Sequence, residues 1–208
     1  MTDRPQTHET IPALVQVPMP ITTSRLILRP PQAGDGAELA EAIRETWTDL
    51  KRWNRWAKDF DENVDPQKRE QLCVDQHAKF IRREDMMLFA YERVSGAFVG
   101  GTGLYDPDWL VRRFEIGYWV RKSAQGQGYA TEITNALLRY AFTALAANMV
   151  TIGHAEGNDR SRRVIEKCGF QYSHGWKYGH ALPDDTITAD RIYIRENLEG
   201  LPDLDVRW

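Results

Sequence analysis

The stretch Glu115-Ile116-Gly117-Tyr118-Trp119-Val120-Arg121-Lys122-Ser123-Ala124-Gln125-Gly126-Gln127-Gly128-Tyr129-Ala130-Thr131-Glu132 holds the residues best spaced for chemistry. A β-rich run enters a turn with two glycines, and the turn opens a helical pattern. The first N–H groups of a helix have no partner inside it and carry the positive end of its dipole. Glycines at 126 and 128 remove the side chains that would hold a phosphate away. The pattern predicts a pyrophosphate cradle over Gln125–Ala130. A dinucleotide fingerprint needs a third small residue where Thr131 stands, and the Gly-Lys-Ser/Thr of a P-loop is absent. A bare Gly-x-Gly is also what a plain tight turn looks like.

The elements that must position this turn follow from periodicity. Phe114–Val120 reads as a strand. Gly126–Ala147 reads as a long helix with Ile133, Ala136, Leu137, Tyr140, Ala141 and Leu145 on one stripe. Met149–His154 reads as a strand, Ser161–Lys167 as a short helix ended by Gly169, and Phe170–Tyr178 and Thr188–Arg195 as closing strands. Upstream, Ile21–Arg29 reads as one strand. Asp35 is placed to cap a helix whose spacing continues through Leu50, Trp53 and Trp56, and Asp65-Pro66 opens another. Met87–Val94 and Ala97–Leu104 form a hairpin about Ser95-Gly96, and Asp106-Pro107-Asp108 marks a turn. Helices, an antiparallel meander and then alternating strands and helices predict one mixed α/β domain. Residues 21–198 form that domain, between an N-terminal arm (1–20) and a C-terminal tail (199–208).

Composition sets outer limits. The 208 residues are 42% hydrophobic and 27% charged, with a formal net charge of −3. That suits one folded domain and argues against a dedicated nucleic-acid binder, which presents a basic face. No apolar run is long enough to span a membrane. Cys73 and Cys168 are too few for a disulfide framework or a cysteine-rich metal site, so no metal and a cytoplasmic setting are expected.

Gln125-Gly126-Gln127-Gly128-Tyr129-Ala130 resembles the coenzyme A loop, Gln/Arg-x-x-Gly-x-Gly/Ala, of the GCN5-related N-acetyltransferase (GNAT) superfamily. Asn158-x-x-Ser161 and the Gly169-Phe170 helix ending follow in order, and Ser24-Arg25-Leu26-Ile27-Leu28-Arg29 is similar to the first strand of its RimJ/RimL branch. The resemblance spans about residues 21–197. It implies a mixed, mostly antiparallel sheet splayed between two parallel strands, Phe114–Val120 and Met149–His154, with helices on both faces. It implies acetyl-CoA in the gap and direct transfer of its acetyl group to an amine, most simply a protein N-terminal α-amine. A small-amine acceptor and a non-catalytic acyl-CoA-binding module are the other readings, and a homodimer is left open.

The resemblance also assigns roles. The backbone of Trp119, Val120 and Arg121 would pair with the pantetheine amides. The N–H groups of Gln125, Gly126, Gln127, Gly128, Tyr129 and Ala130 would hold the pyrophosphate, and Asn158 would bond the pantetheine side. Ser161 would hydrogen-bond the departing thiol, with capping of its own helix as the plainer reading and Tyr172 as a rival. Glu115 is the first candidate base, set against a plain ion pair with Arg112 or Arg113. His180 is the second, against an exposed loop histidine. Tyr118 and His154 are expected to pack, and Cys168 to be a small buried hydrophobe. Arg160, Arg162, Arg163 and Lys167 could meet the 3′-phosphate or form a solvated face. Trp47, Trp53 and Trp56 could floor an acceptor groove, stack on RNA, or pack as core.

Overall fold

The computed structural model describes residues 11–208. Ile21–Thr22 (β1) and Leu26–Arg29 (β2) precede three helices, Gly36–Trp53 (α1), Phe60–Asn63 (α2) and Pro66–Arg82 (α3). Then come Met86–Glu92 (β3), Phe98–Asp108 (β4), Arg113–Val120 (β5), Tyr129–Thr143 (α4), Met149–Ala155 (β6) and Asp159–Lys167 (α5). Gln171–His174 (β7), His180–Ala181 (β8), Ile187–Thr188 (β9) and Asp190–Arg195 (β10) complete the order. The eight-stranded sheet runs β1-β2-β3-β4-β5-β6-β10-β7, and β8 pairs with β9. All neighbours in the large sheet are antiparallel except β5 and β6.

Alternate side chains of β3 serve opposite faces, as the strand period requires. Met86, Leu88 and Ala90 meet the α4 stripe of Ile133, Ala136, Leu137, Tyr140 and Ala141. Phe89 and Tyr91 meet Leu39, Ile43 and Leu50 of α1 and Cys73 of α3. Helices therefore cover both faces, and the expected single mixed domain is what forms.

Several boundaries differ from the expectations for physical reasons. The first strand breaks in two because the Thr23 hydroxyl accepts from the N–H groups of Arg25 and Leu26, which makes a turn there. Asp35 precedes α1 but does not cap it with its side chain. Its carboxylate is taken by Arg29, and Glu70 of α3 accepts from the N–H of Gly34 and of Gly36 instead. Helix α1 stops at Trp53, so Trp56 lies beyond it. The expected turn at Asp106–Asp108 is the end of β4, and the chain reverses at 109–112. The long closing strand is only Gln171–His174, with the β8–β9 hairpin set apart from it. The last ten residues fold back on the domain. Arg207 exchanges main-chain hydrogen bonds with Thr22, Leu201 is buried, and Trp208 packs edge-on against Tyr140.

Candidate active site

Strands β5 and β6 pair in parallel only from Arg113/Met149 to Ile116/Ile152. Beyond that point β5 stays with β4 as far as Val120, and β6 stays with β10 as far as Ala155. The two pairs part, and Tyr118, Val120, Gly153 and His154 edge the opening. A cleft of about 900 Å³ runs through it, and Glu115, Trp53, His180, the first turn of α4, and Arg163 and Lys167 of α5 are among its lining residues.

Strand alternation decides which main-chain groups face the opening. The Arg121 N–H donates to Val99 O at 2.8 Å and the Gly117 carbonyl accepts from Thr102, so residues 117, 119 and 121 are turned toward β4. This corrects the expectation for Trp119 and Arg121, whose amide groups are already used. The Arg121 side chain is engaged too, by Glu41 and Glu45 of α1. Tyr118 and Val120 present their N–H groups to the gap.

The loop after β5 has the form of an anion cradle. Gly126 and Gly128 take φ of 78° and 83°, in the left-handed region. A Cβ on Gly126 would meet nothing within 4 Å, and one on Gly128 only Arg25 Nη2 at 3.7 Å. The glycines therefore serve conformation and leave open space above the loop. The N–H groups of Gly126, Gln127, Gly128, Tyr129, Ala130 and Thr131 have no partner among the described residues, and the ladder of α4 starts with Glu132 N–H to Gly128 O at 3.1 Å. These residues fit a pyrophosphate. Gln125 departs from the expectation: its main-chain N–H donates to Lys122 O at 3.2 Å, so it is not free for a phosphate, and its side chain braces the loop. Its Nε2 donates to Asp49 and to Val120 O, both at 3.1 Å, and its Oε1 accepts from Arg160.

Asn158, not Ser161, caps α5. Its Oδ1 accepts from the Ser161 N–H at 3.2 Å, and the helix begins at Asp159. That frees the Ser161 hydroxyl, which lies 3.3 Å from the Tyr118 hydroxyl across the gap. Tyr118 thus lines the cleft with its hydroxyl beside Ser161 while also packing against the core. Burial pushes its phenol up to about 12, partly offset by the bond to Ser161. Tyr172 lies outside the cleft, edge-on to Tyr193.

Glu115 lines the cleft and makes no ion pair among the described residues. Arg113 instead reaches Asp108 at 3.9 Å, and Arg112 donates to Leu145 O. The Glu115 side chain is open to solvent, yet the protein around it raises its carboxyl pKa. Desolvation is the larger cause, Asp106 adds to it, and Arg113 opposes it. His180 also lines the cleft, with Nε2 3.2 Å from Trp53 O. His154 is buried, stacked on Tyr193 and bonded to its hydroxyl at 3.3 Å. Cys168 is buried, and desolvation pushes its thiol up to about 12, which suits a packed hydrophobe.

The remaining candidates separate by position. Arg162 pairs with Asp159 and Glu166 along α5 and stays out of the cleft, whereas Arg160, Arg163 and Lys167 line it. Trp47 packs edge-on against Phe60 in the α1–α3 core. Trp53 lines the cleft, and the half-exposed Trp56 leans on Trp119, with ring centres 6.4 Å apart. Sequence reasoning missed Arg25, which holds Glu132 and the Gln127 carbonyl at the cradle. Only its place in the resembling first strand pointed to it.

The family model of the Acetyltransferase (GNAT) domain matches residues 25–171. The chain is 32% identical over 142 residues to the "Putative ribosomal N-acetyltransferase YdaF" of Bacillus subtilis, covering 65% of this chain and 72% of that protein. Mycobacterium smegmatis RimJ, solved with CoA-disulfide, shares the fold with a TM-score of 0.78 at 23% identity over 94% of this chain and 93% of that one. The microcin C7 self-immunity acetyltransferase MccE, solved with acetyl-CoA and AMP, does so at 0.77 and 17% identity over 84% and 93%. The chain belongs to the GNAT acetyltransferase family and is an acetyl-CoA-dependent N-acetyltransferase.

Proposed function

We propose that this enzyme acetylates a protein N-terminal α-amine. The observation that carries the reading is the sparse base chemistry of the cleft lining. Glu115 stands there without a bonded partner among the described residues, and His180 is engaged by the Trp53 carbonyl. An α-amine has a reference pKa of about 8 against about 10.4 for lysine, so it needs little help to become neutral. A single weak base suits the former. YdaF is named as a ribosomal N-acetyltransferase, which supports the same direction.

In this reading the N–H groups of Gly126–Ala130 hold the pyrophosphate, and those of Tyr118 and Val120 face the pantetheine arm and the thioester. The Val120 N–H stabilises negative charge developing on the carbonyl oxygen. The amine forms the new C–N bond as the C–S bond breaks. The proton lost by the amine passes through water to Glu115. The leaving thiolate accepts a hydrogen bond from the Ser161 hydroxyl, which Tyr118 backs, and takes its proton from water. Asn158 holds Ser161 in place. The two free, buried cysteines accord with a cytoplasmic setting, and no described helix is long and apolar enough to cross a membrane.

A thiol-release assay with acetyl-CoA tests the acceptor. Free-amino-terminal peptides are expected to turn over and terminally blocked ones to fail. Turnover on small amines alone, with every peptide inert, would overturn the reading.

A further inference from the structure

Glu132 poses an electrostatic problem that the acetyl-CoA reading does not address. It sits in the first turn of α4, directly after the cradle, with its side chain 7% exposed. A buried carboxylate there would oppose the pyrophosphate that the N–H groups of 126–130 are arranged to receive. The β1–β2 turn answers it. The Thr23 hydroxyl donates to Glu132 Oε1 at 2.6 Å, and Arg25 Nε donates to Oε2 at 2.7 Å with Nη2 on the same oxygen. The third arm of the same guanidinium, Nη1, donates to the Gln127 carbonyl at 3.0 Å. Its Cζ lies 4.6 Å from the ring centre of Tyr129, whose hydroxyl donates to Glu92. One side chain, 107 positions away from Glu132, thus neutralises the first turn and grips the carbonyl between the two left-handed glycines.

We propose that Arg25 is the positioning residue of the pyrophosphate loop: it cancels the charge of Glu132 and fixes Gln127 so that the N–H groups of 126–130 converge. This rests on the cradle binding acetyl-CoA. Arg25 touches no reacting atom, so its removal acts on nucleotide binding rather than on transfer. The guanidinium fork matters as well as its charge, because an ammonium cannot hold the carboxylate and the carbonyl in the same geometry.

The test compares full-length wild type, R25Q, R25K, E132Q and R25Q/E132Q. Acetyl-CoA binding is measured by titration calorimetry, turnover with saturating acetyl-CoA, and folding by thermal unfolding. R25Q is expected to weaken acetyl-CoA about tenfold with kcat changed less than about twofold, R25K to fall between R25Q and wild type, and R25Q/E132Q to recover the share due to the Glu132 charge while the share due to the lost Gln127 contact remains. A loss confined to acetyl-CoA affinity, with kcat held, is the readout that a purely structural ion pair would not give. If R25Q does not fold, R25K and R25Q/E132Q still decide the matter. Wild-type affinity in R25Q or R25K, or a double variant no tighter than R25Q, overturns the proposal. Failure of wild type to bind acetyl-CoA would instead strike the cradle itself.

Discussion

The phenol oxygen of Tyr118, on β5, and the hydroxyl oxygen of Ser161, on α5, stand 3.3 Å apart across the gap between the two parallel strands. They come from opposite sides of the opening, and the capping of α5 is done by Asn158, so neither hydroxyl is needed to hold a helix end. S161A is expected to lower kcat about 100-fold with the acetyl-CoA KM nearly unchanged, and Y118F to lower it about tenfold. Groups that act together lose together, so the double variant falls little below S161A. Steady-state kinetics checks this; equal rates in S161A and wild type would leave the hydroxyl pair without a catalytic part.

N158A separates scaffold from chemistry. Losing the cap removes about 1 kcal/mol, a fall in Tm of about 3 °C for a chain of this size. Because the same oxygen holds the Ser161 N–H, kcat is expected to drop as well. Thermal unfolding beside kinetics reads both, and a fall in Tm with full turnover would detach Asn158 from the site.

Gly126 and Gly128 are separable in the same way. G126A places a Cβ in open space but at a φ of 78°, so it is expected to cost about 1–2 kcal/mol of stability. G128E puts a carboxylate on the cradle and is expected to abolish acetyl-CoA binding. Calorimetry that found wild-type affinity in G128E would refute the anion site.

Glu115 gives the pH dependence. Its folded pKa is raised, so the native state holds the proton more tightly than the unfolded chain. Its contribution to stability is therefore present below its unfolded pKa and is lost as pH rises through the folded one. E115Q, which cannot ionise, is expected to unfold at a higher temperature than wild type at neutral pH, and the gain should vanish on acidification into the carboxylate range. Activity should lose its acidic limb in E115Q. An acidic limb identical to that of wild type would remove Glu115 as the base.

What was legible in the sequence was local. The Gly126-x-Gly128 turn before a helix depends on backbone preference and neighbouring residues, and it folds where the pattern put it. The α4 stripe and the Asp65-Pro66 helix start are local too. The parallel strands were legible only through the family resemblance, because nothing at Ile116 or Ile152 announces that pairing stops there. Two contacts at the candidate site join distant positions: Tyr118 with Ser161, 43 residues apart, and Arg25 with Glu132, 107 apart. Which of Trp119, Val120 and Arg121 turn their amides to the gap was not legible, because strand alternation had to be anchored by one bond, Arg121 N–H to Val99 O.

The most direct test of the central claim is mass spectrometry of a peptide that carries both a free α-amine and an internal lysine, incubated with enzyme and acetyl-CoA. One acetyl group is expected, on the α-amine, formed in step with released thiol. Acetyl on the lysine alone, or thiol released with neither amine modified, would contradict it.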